Sequence, residues 1–263
     1  MEFINDPNYY DQHFLINENV IEKFIEISNL NKDDIIVEVG PGQGILTKKI
    51  APKVKKVYCI ELDTRLKTFL DEICNEYKNI EIIYNNVLNT FIPKCTKIIT
   101  ALPYSIVEPF MNKMLKCEFD ELIMITGKRF AEKVMKKEIN RLSLMVNCFF
   151  EFEKIMDITP DNFSPRPRVL SSMIKLKPKK NLTDFNDMIF KRLFLMKNKK
   201  IKNGLVECLI INKYCNTQKE AKSIVAELNL SEDLLETKFE VCSNTDLANL
   251  YNEVNKLSKR KTN

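Results

Sequence analysis

Three glycines and one acid form the most distinctive cluster of residues in the chain. Only five glycines occur among 263 residues, and three of them, Gly40, Gly42 and Gly44, lie within five positions. A chain that avoids glycine elsewhere needs special backbone geometry here, as in a turn that a ligand approaches closely. Glu61 follows about 20 residues later, the spacing at which a carboxylate can accept hydrogen bonds from both hydroxyls of a ribose.

The glycine spacing separates two classes of ligand. Dinucleotide-binding loops have the pattern Gly-x-Gly-x-x-Gly, whereas this loop reads Gly-x-Gly-x-Gly and is preceded by Glu38. S-adenosylmethionine carries no diphosphate, and an acid beside the loop suits its sulfonium and ammonium groups. The loop therefore predicts a site for S-adenosylmethionine and disfavours an oxidoreductase. A glycine turn without a ligand is the alternative.

A second candidate loop is Ala101-Leu102-Pro103-Tyr104. The segment follows the fourth predicted strand, and amino-methyltransferases have an Asn/Asp-x-Pro-aromatic loop at that position. The reason is that an exocyclic amine is a poor nucleophile and needs two oxygen acceptors to orient it. The aromatic ring stacks on the extruded base, so that methyl transfer depends mainly on positioning. Here the Leu102 carbonyl and Tyr104 are present, but Ala101 has no side-chain acceptor. An ordinary Leu-Pro-Tyr loop is the alternative.

Short β-branched runs alternate with helical stretches as far as Pro178, which is typical of a mainly parallel sheet covered on both faces. The predicted strands are residues 35–39, 56–60, 80–84, 97–100, 121–125, 153–158 and 169–177. Beyond Pro178 the pattern is helical to Ser258. We predict an α/β fold: a Rossmann-like class I methyltransferase sheet in residues 1–180, a small helical C-terminal domain in residues 181–263, and a disordered tail from Lys259.

The composition, with 44% hydrophobic and 29% charged residues, is that of an ordinary globular protein. No run of about 18 apolar residues and no signal peptide is visible, so we expect no membrane association. The eight cysteines are scattered, which predicts reduced thiols in the cytoplasm, and His13 is the only histidine, so no metal site is expected. From Lys179 onward, 16 Lys and Arg face 11 Asp and Glu, which fits a polyanionic partner or a merely solvated surface.

Taken in order, these motifs resemble the rRNA adenine N6,N6-dimethyltransferase family, and most closely its archaeal and eukaryotic small-subunit branch. The resemblance covers nearly the whole chain. It implies dimethylation of N6 on two adjacent adenosines near the 3′ end of small-subunit rRNA, on a pre-30S or pre-40S particle during ribosome biogenesis, by a monomer. The matching segments are Asp11–Leu15, Glu38–Gly44, Glu61–Asp63, Leu102–Tyr104, Arg141–Ser143, Phe163–Val169 and Lys197–Lys200.

The resemblance also implies roles for individual residues. Tyr104 and Phe163 would flank the flipped adenine beside the Ala101-Leu102-Pro103 segment. The donor contacts would be made by His13, Leu15, Gly40, Gly42, Glu61, Asn86 and Ala101. Arg166 and Arg168 are candidates for phosphate contacts, with a rigid surface loop as the alternative. Lys197, Lys199 and Lys200 form a candidate basic patch on the C-terminal lobe, with a solvated face as the alternative.

Two positions depart from the family pattern, which usually has Asp in place of Asn86 and Asn in place of Ala101. An amide accepts a hydrogen bond without charge assistance, and losing one preorganised group can cost about 3 kcal/mol in the transition state. These departures favour an alternative function, that of a catalytically weakened or inactive RNA-binding ribosome-assembly factor. A methyltransferase with an altered target or only monomethylating ability is a third hypothesis. Residues 126–129 also lack the expected Gln-x-Glu type sequence.

Overall fold

The computed structural model describes residues 12–102, 104–180 and 182–261. The strands within these ranges are β1 (Phe14–Leu15), β2 (Ile35–Val39), β3 (Lys56–Glu61), β4 (Ile80–Tyr84), β5 (Lys97–Ala101), β6 (Glu121–Gly127), β7 (Phe150–Ile158), β8 (Phe163–Ser164) and β9 (Ser171–Pro178). The helices are α1 (Glu18–Ser28), α2 (Ile45–Ile50), α3 (Lys67–Glu76), α4 (Val107–Met114), α5 (Lys128–Met135), α6 (Arg141–Phe149), α7 (Phe185–Leu195), α8 (Ile201–Ile211), α9 (Gln218–Ala226), α10 (Glu232–Glu236) and α11 (Asn244–Lys261).

Seven strands form one sheet in the order β4-β3-β2-β5-β6-β9-β7. The pairs from β4 to β6 are parallel, and β9 runs antiparallel to β6. The strand order reverses between β2 and β5, and this switch point is where open α/β sheets bind ligands, beyond the carboxyl ends of the strands. The predicted α/β fold and the seven predicted strands are confirmed.

The central strands are buried because their side chains are apolar on both faces. Ile36 and Val37 in β2 and Ile98 and Ile99 in β5 have no exposed surface. At the amino ends of these two strands, a buried ion pair joins Lys97 Nζ to Asp34 Oδ2 at 2.5 Å. This pair holds the base of the sheet, at the end opposite to the switch-point edge.

A second, two-stranded sheet pairs β1 with β8 in antiparallel register. Phe14 lies opposite Ser164 and Leu15 lies opposite Phe163. We call this pair the β1–β8 ribbon. Neither strand follows from the sequence pattern, because two residues are too few to show a periodicity.

The chain divides into two compact units. The first contains the chain up to Glu132 together with Phe152–Pro178, and the second contains Lys133–Glu151 together with the chain from Lys179 onward. The predicted domain boundary at residue 180 stays a prediction. The second unit also includes Lys133–Glu151, which the sequence analysis assigned to the first domain. Within the described residues, no helix is long and apolar enough to cross a membrane.

The second unit has an aromatic core of its own. Phe190 and Phe194 pack against Phe239 with ring centroids 6.3 and 5.0 Å apart. Arg141, which begins one of the family-like segments, donates to the carbonyl oxygens of Phe239 and Cys242 at 2.8 and 3.0 Å. These hydrogen bonds join α6 to the segment before α11 within the second unit.

The last helix, α11, continues through Lys261, so the prediction of a disordered tail from Lys259 is wrong as far as Lys261. One buried apolar stripe runs along the helix as far as Leu257. That stripe consists of Leu247, Leu250, Val254 and Leu257. Thr262 and Asn263, also in the predicted tail, lie outside the described residues.

Candidate active site

The glycine loop joins β2 to α2 at the switch point of the sheet. Gly40, Gly42 and Gly44 have φ angles of 70°, 60° and 78°, in the left-handed region that favours glycine. A Cβ atom added to Gly42 would lie 2.9 Å from the ring of Phe14, so the missing side chain lets the β1–β8 ribbon lie directly on the loop.

Glu61, the last residue of β3, holds the glycine loop with its carboxylate. Its Oε2 accepts from the N–H of Gly42 at 3.1 Å, and its Oε1 accepts from the N–H of Asp63 at 2.8 Å. The side chain is only 3% exposed, and burial raises the pKa of Glu61 although the N–H groups of Asp63 and Gly42 oppose the rise. A carboxylate has about four lone-pair sites, so Glu61 keeps acceptor capacity for a ligand.

Glu38 was expected to lie beside a ligand, but its carboxylate points into the core instead. Its Oε2 accepts from Thr47 Oγ1 at 2.7 Å and from Cys59 Sγ at 3.6 Å, and it is not among the cavity-lining residues. Burial raises the pKa of Glu38 to about 7, with repulsion from Glu61 adding to the rise. The acid therefore belongs to the core between β2, β3 and α2.

A cavity of about 450 Å³ opens at the carboxyl ends of β2, β3 and β5. This volume lies in the range of small-molecule sites. The lining includes all seven residues predicted to contact the donor: His13, Leu15, Gly40, Gly42, Glu61, Asn86 and Ala101. It also includes Leu102, Tyr104 and Phe163 from the predicted catalytic group. Pro103 lies outside the described residues.

The second predicted loop follows β5. Ala101 ends the strand and is half-buried, and Leu102 is buried. Tyr104 begins a single 3-10 turn, Tyr104–Ile106, and its phenol oxygen is hydrogen-bonded to Ser171 Oγ. Tyr104 also lines the cavity, and this hydrogen bond holds its phenol group to the sheet.

Asn86 lines the cavity, but its side-chain oxygen already has a backbone partner. The N–H of Leu88 donates to Asn86 Oδ1 at 2.9 Å, and the N–H of Asn86 donates to Asn85 Oδ1 at 2.7 Å. These two bonds close the turn after β4. Asn86 therefore lies at the predicted place, with one lone pair of its oxygen committed to the turn.

The β1–β8 ribbon brings His13 and Phe163 to the same cavity. His13 Nδ1 donates to the carbonyl oxygen of Pro165 at 2.8 Å, and the N–H of Ile16 donates to the carbonyl oxygen of Asn162 at 2.9 Å. Phe163 is only 5% exposed, whereas the neighbouring Arg166 and Arg168 are exposed and do not line the cavity. Arg166 pairs with Asp161 at 3.0 Å.

The predicted lysine patch lies in the second unit and carries acidic partners. Lys199 pairs with Glu207, while Lys200 at 2.6 Å and Lys202 both pair with Glu236. Lys197 is exposed. The patch is thus partly neutralised by neighbouring carboxylates.

Several cavity residues were not among the predicted site residues. Phe14 belongs to the Asp11–Leu15 segment already noted as family-like, so its position in the sequence was a usable signal. Asn85 and Ser105 also line the cavity, and each adjoins a predicted site residue. Ser171, the partner of Tyr104, had no signal, because its role depends on strand register.

Comparison with known proteins gives one consistent result. The family model described as ribosomal RNA adenine dimethylase matches residues 5–214. A relative from Pyrococcus abyssi, named probable ribosomal RNA small subunit methyltransferase A, is 36% identical over 202 residues that cover 74% of each chain. A relative of the same name from Methanococcoides burtonii is 33% identical over 257 residues, or 94% of this chain and 93% of its own.

Two solved structures resemble the chain over nearly its whole length. A dimethyladenosine transferase from Plasmodium falciparum matches with a TM-score of 0.64 and 24% identity, covering 93% of this chain and 98% of that one. The 23S rRNA methyltransferase ErmE matches with a TM-score of 0.61 and 21% identity, covering 92% and 99%. At these identities the likeness establishes the fold, a class I methyltransferase sheet with a helical C-terminal region.

Proposed function

Because the chain belongs to the ribosomal RNA adenine dimethylase family, we propose that it dimethylates N6 of two adjacent adenosines near the 3′ end of small-subunit rRNA, using S-adenosylmethionine. Family membership makes the chain an rRNA adenine methyltransferase; the donor, the reacting atom and the target nucleotides are the proposal. One observation carries it: the glycine loop and Glu61 line the same cavity as Ala101, Leu102 and Tyr104.

The cavity fits a nucleoside donor. A Cβ atom built on Gly40 would meet nothing within 4 Å, so open space adjoins the backbone of a residue that lines the cavity. Glu61 would accept hydrogen bonds from the ribose hydroxyls, and Asn86 would accept from the amino group of the donor's adenine. When bound, S-adenosylmethionine supplies an electrophilic methyl group on its sulfonium.

The remaining residues would act on the target adenine. Stacking between Tyr104 and Phe163 would hold the extruded base, as aromatic side chains do for unstacked RNA bases. The backbone carbonyl of Leu102 would accept from the exocyclic amine and orient its lone pair. Holding the amine in line with the methyl group supplies most of the rate enhancement, since the reaction needs little acid–base help.

Ala101 leaves the amine with fewer acceptors than the family pattern provides. The alternative of an inactive RNA-binding assembly factor rested on Ala101 and Asn86, and family membership does not favour it. We therefore propose an enzyme whose transfer step is slower than that of a relative with Asn at this position.

The RNA partner is supported by charge and by the names of relatives. Both relatives are named probable ribosomal RNA small subunit methyltransferase A. Arg166 and Arg168 extend from the segment that carries Phe163, where they would contact phosphates flanking the flipped base.

Replacing either Arg166 or Arg168 with Gln should weaken RNA binding and reduce the slope of log affinity against log salt concentration by about 1. We propose that a monomer acts on the assembling pre-30S or pre-40S particle.

The decisive experiment incubates the protein with labelled S-adenosylmethionine and small-subunit particles that lack the modification, then digests the rRNA. Dimethyladenosine at two adjacent positions is the expected product. Glu61→Gln is the control, since it should weaken donor binding while leaving particle binding intact. Absence of label alongside measurable particle binding would overturn the enzymatic proposal and favour an assembly factor.

A further inference from the structure

Tyr104 is held from two sides by residues of the sheet. Its phenol oxygen is hydrogen-bonded to Ser171 Oγ, and Ser171 is fully buried. Its ring lies over Gly127, where an added Cβ atom would be 3.6 Å from Tyr104 Cγ and 3.7 Å from Cδ1. The ring thus rests against the backbone of β6 while its hydroxyl is tied to the first residue of β9.

These two contacts come from a single position in the sheet. Gly127 and Ser171 are direct partners in the antiparallel β6–β9 register. Side chains of directly opposed residues leave the sheet on the same face. At this pair Gly127 has no side chain and Ser171 carries a hydroxyl. A phenol ring can therefore lie across Gly127 while its oxygen is hydrogen-bonded to Ser171.

The neighbouring pair, Thr126 and Ser172, points to the other face because side chains alternate along a strand. Ser172 Oγ donates to Asp157 Oδ1 at 2.6 Å. Ser171 and Ser172 are thus adjacent, equally buried hydroxyls with different partners. Only Ser171 contacts a residue of the proposed active site, which makes Ser172 a matched control.

We propose that Ser171, seated opposite Gly127, is a positioning residue that sets the plane of the Tyr104 ring against the target base. The proposal rests on the proposed function, in which Tyr104 stacks on the extruded adenine. Without this hydrogen bond the tyrosine could rotate about χ1 and χ2. A base stacked on a tilted ring would then hold its amine out of line with the methyl group of the donor. A hydrogen bond from a rigid sheet removes that freedom before the RNA binds.

The kinetic test measures methyl transfer at saturating donor for Ser171→Ala, Tyr104→Phe and the double variant. Each single change removes the same hydrogen bond and should lower kcat about tenfold, while the affinity for S-adenosylmethionine stays unchanged. The double variant should be no slower than the slower single variant, because both changes break the same Ser171–Tyr104 hydrogen bond. Ser171→Thr, which keeps the hydroxyl, should recover most of the rate.

Ser172→Ala separates positioning from general packing. It should leave kcat within about twofold of wild type, although it also removes a buried hydroxyl. The proposal is overturned if Ser171→Ala and Tyr104→Phe act independently, or if Ser172→Ala slows transfer as much as Ser171→Ala does.

A second readout does not depend on methyl transfer. An RNA hairpin carrying 2-aminopurine at the target adenosine reports stacking on Tyr104 through its fluorescence. Ser171→Ala and Tyr104→Phe should change the bound-state emission equally, and Ser172→Ala should not. Equal emission from wild type and Ser171→Ala overturns the positioning role. An inactive wild type with the expected emission pattern overturns only the proposed reaction.

Discussion

His13 Nδ1 donates to the carbonyl oxygen of Pro165 at 2.8 Å, although the two residues lie 152 positions apart in the chain. This bond continues the β1–β8 ribbon beyond its paired residues. One strand of the ribbon carries Leu15, a proposed donor contact, and the other carries Phe163, a proposed contact of the target base. The two halves of the proposed site are therefore joined by backbone hydrogen bonds.

The ribbon can be tested at Ile16, whose N–H donates to Asn162. Ile16→Pro removes that donor and should weaken donor binding several-fold while also slowing transfer to RNA, because both proposed contacts lose their support. Ile16→Ala keeps the N–H and alters a side chain that is already 45% exposed, so it should behave as wild type. Calorimetric titration with S-adenosylmethionine measures the effect, and equal affinities for the two variants would count against the ribbon's role.

The open space beside Gly40 predicts a specific loss of donor affinity. Gly40→Ala should cost about 1–2 kcal/mol of stability from its left-handed backbone and should weaken donor binding at least tenfold, because the new methyl group enters the cavity. Gly44→Ala is the comparison, since its Cβ would collide with Ile73 Cδ1 and the residue does not line the cavity. Gly44→Ala should lower the melting temperature more than Gly40→Ala does and should lower donor affinity less. If Gly44→Ala lowered donor affinity more, the donor would bind elsewhere.

Glu38 predicts a pH-dependent stability. Because burial raises its pKa from 4.5 to about 7, the folded state binds its proton more tightly than the unfolded state does. The resulting stabilisation is fully present below pH 4.5 and is lost as the pH rises through about 7. Glu38→Gln should thus become more stable than wild type above pH 7, by on the order of 3 kcal/mol.

Urea denaturation of wild type and Glu38→Gln between pH 4.5 and 8 measures this difference directly. The gap between the two proteins should widen from pH 4.5 to about pH 7 and then level off. A gap that is independent of pH would show that Glu38 has an ordinary pKa in the folded protein.

Ala101→Asn should speed methyl transfer if a missing acceptor limits the reaction. The gain can reach about a hundredfold in kcat, the amount typically lost when one preorganised hydrogen-bonding group is removed. Ala101→Leu, which adds similar bulk without an acceptor, should give no gain. Single-turnover transfer to the unmodified particle is the measurement, and an unchanged rate for Ala101→Asn would mean that the loop is organised around alanine.

The sheet and the cavity were predictable from local sequence patterns. Apolar strands that alternate with helices identify a doubly wound sheet, and in such a sheet the glycine loop and the loop after β5 must meet at the carboxyl edge. This geometry explains why Gly40, Glu61 and Ala101 line one cavity, as their spacing indicated.

The features that were not predicted depend on pairing between distant segments. The partner of Ser171 follows from the register of β9 on β6, which no single-strand pattern specifies. Glu38 faces the core because its position in β2 turns it toward Thr47 and Cys59, although its nearness to the glycines indicated a ligand contact. Whether Lys199 and Lys200 are paired depends on where Glu207 and Glu236 lie in the folded second unit.

The β1–β8 ribbon also has a consequence for the order of events during synthesis. The segment from His13 to Ile16 is synthesised before its partner strand, which is made roughly 7–30 s later at ordinary elongation rates. Until then Phe14 cannot be held against Gly42 by the ribbon, so the cavity of a nascent chain is incomplete. The proposed donor site is therefore completed only after most of the first unit has been translated.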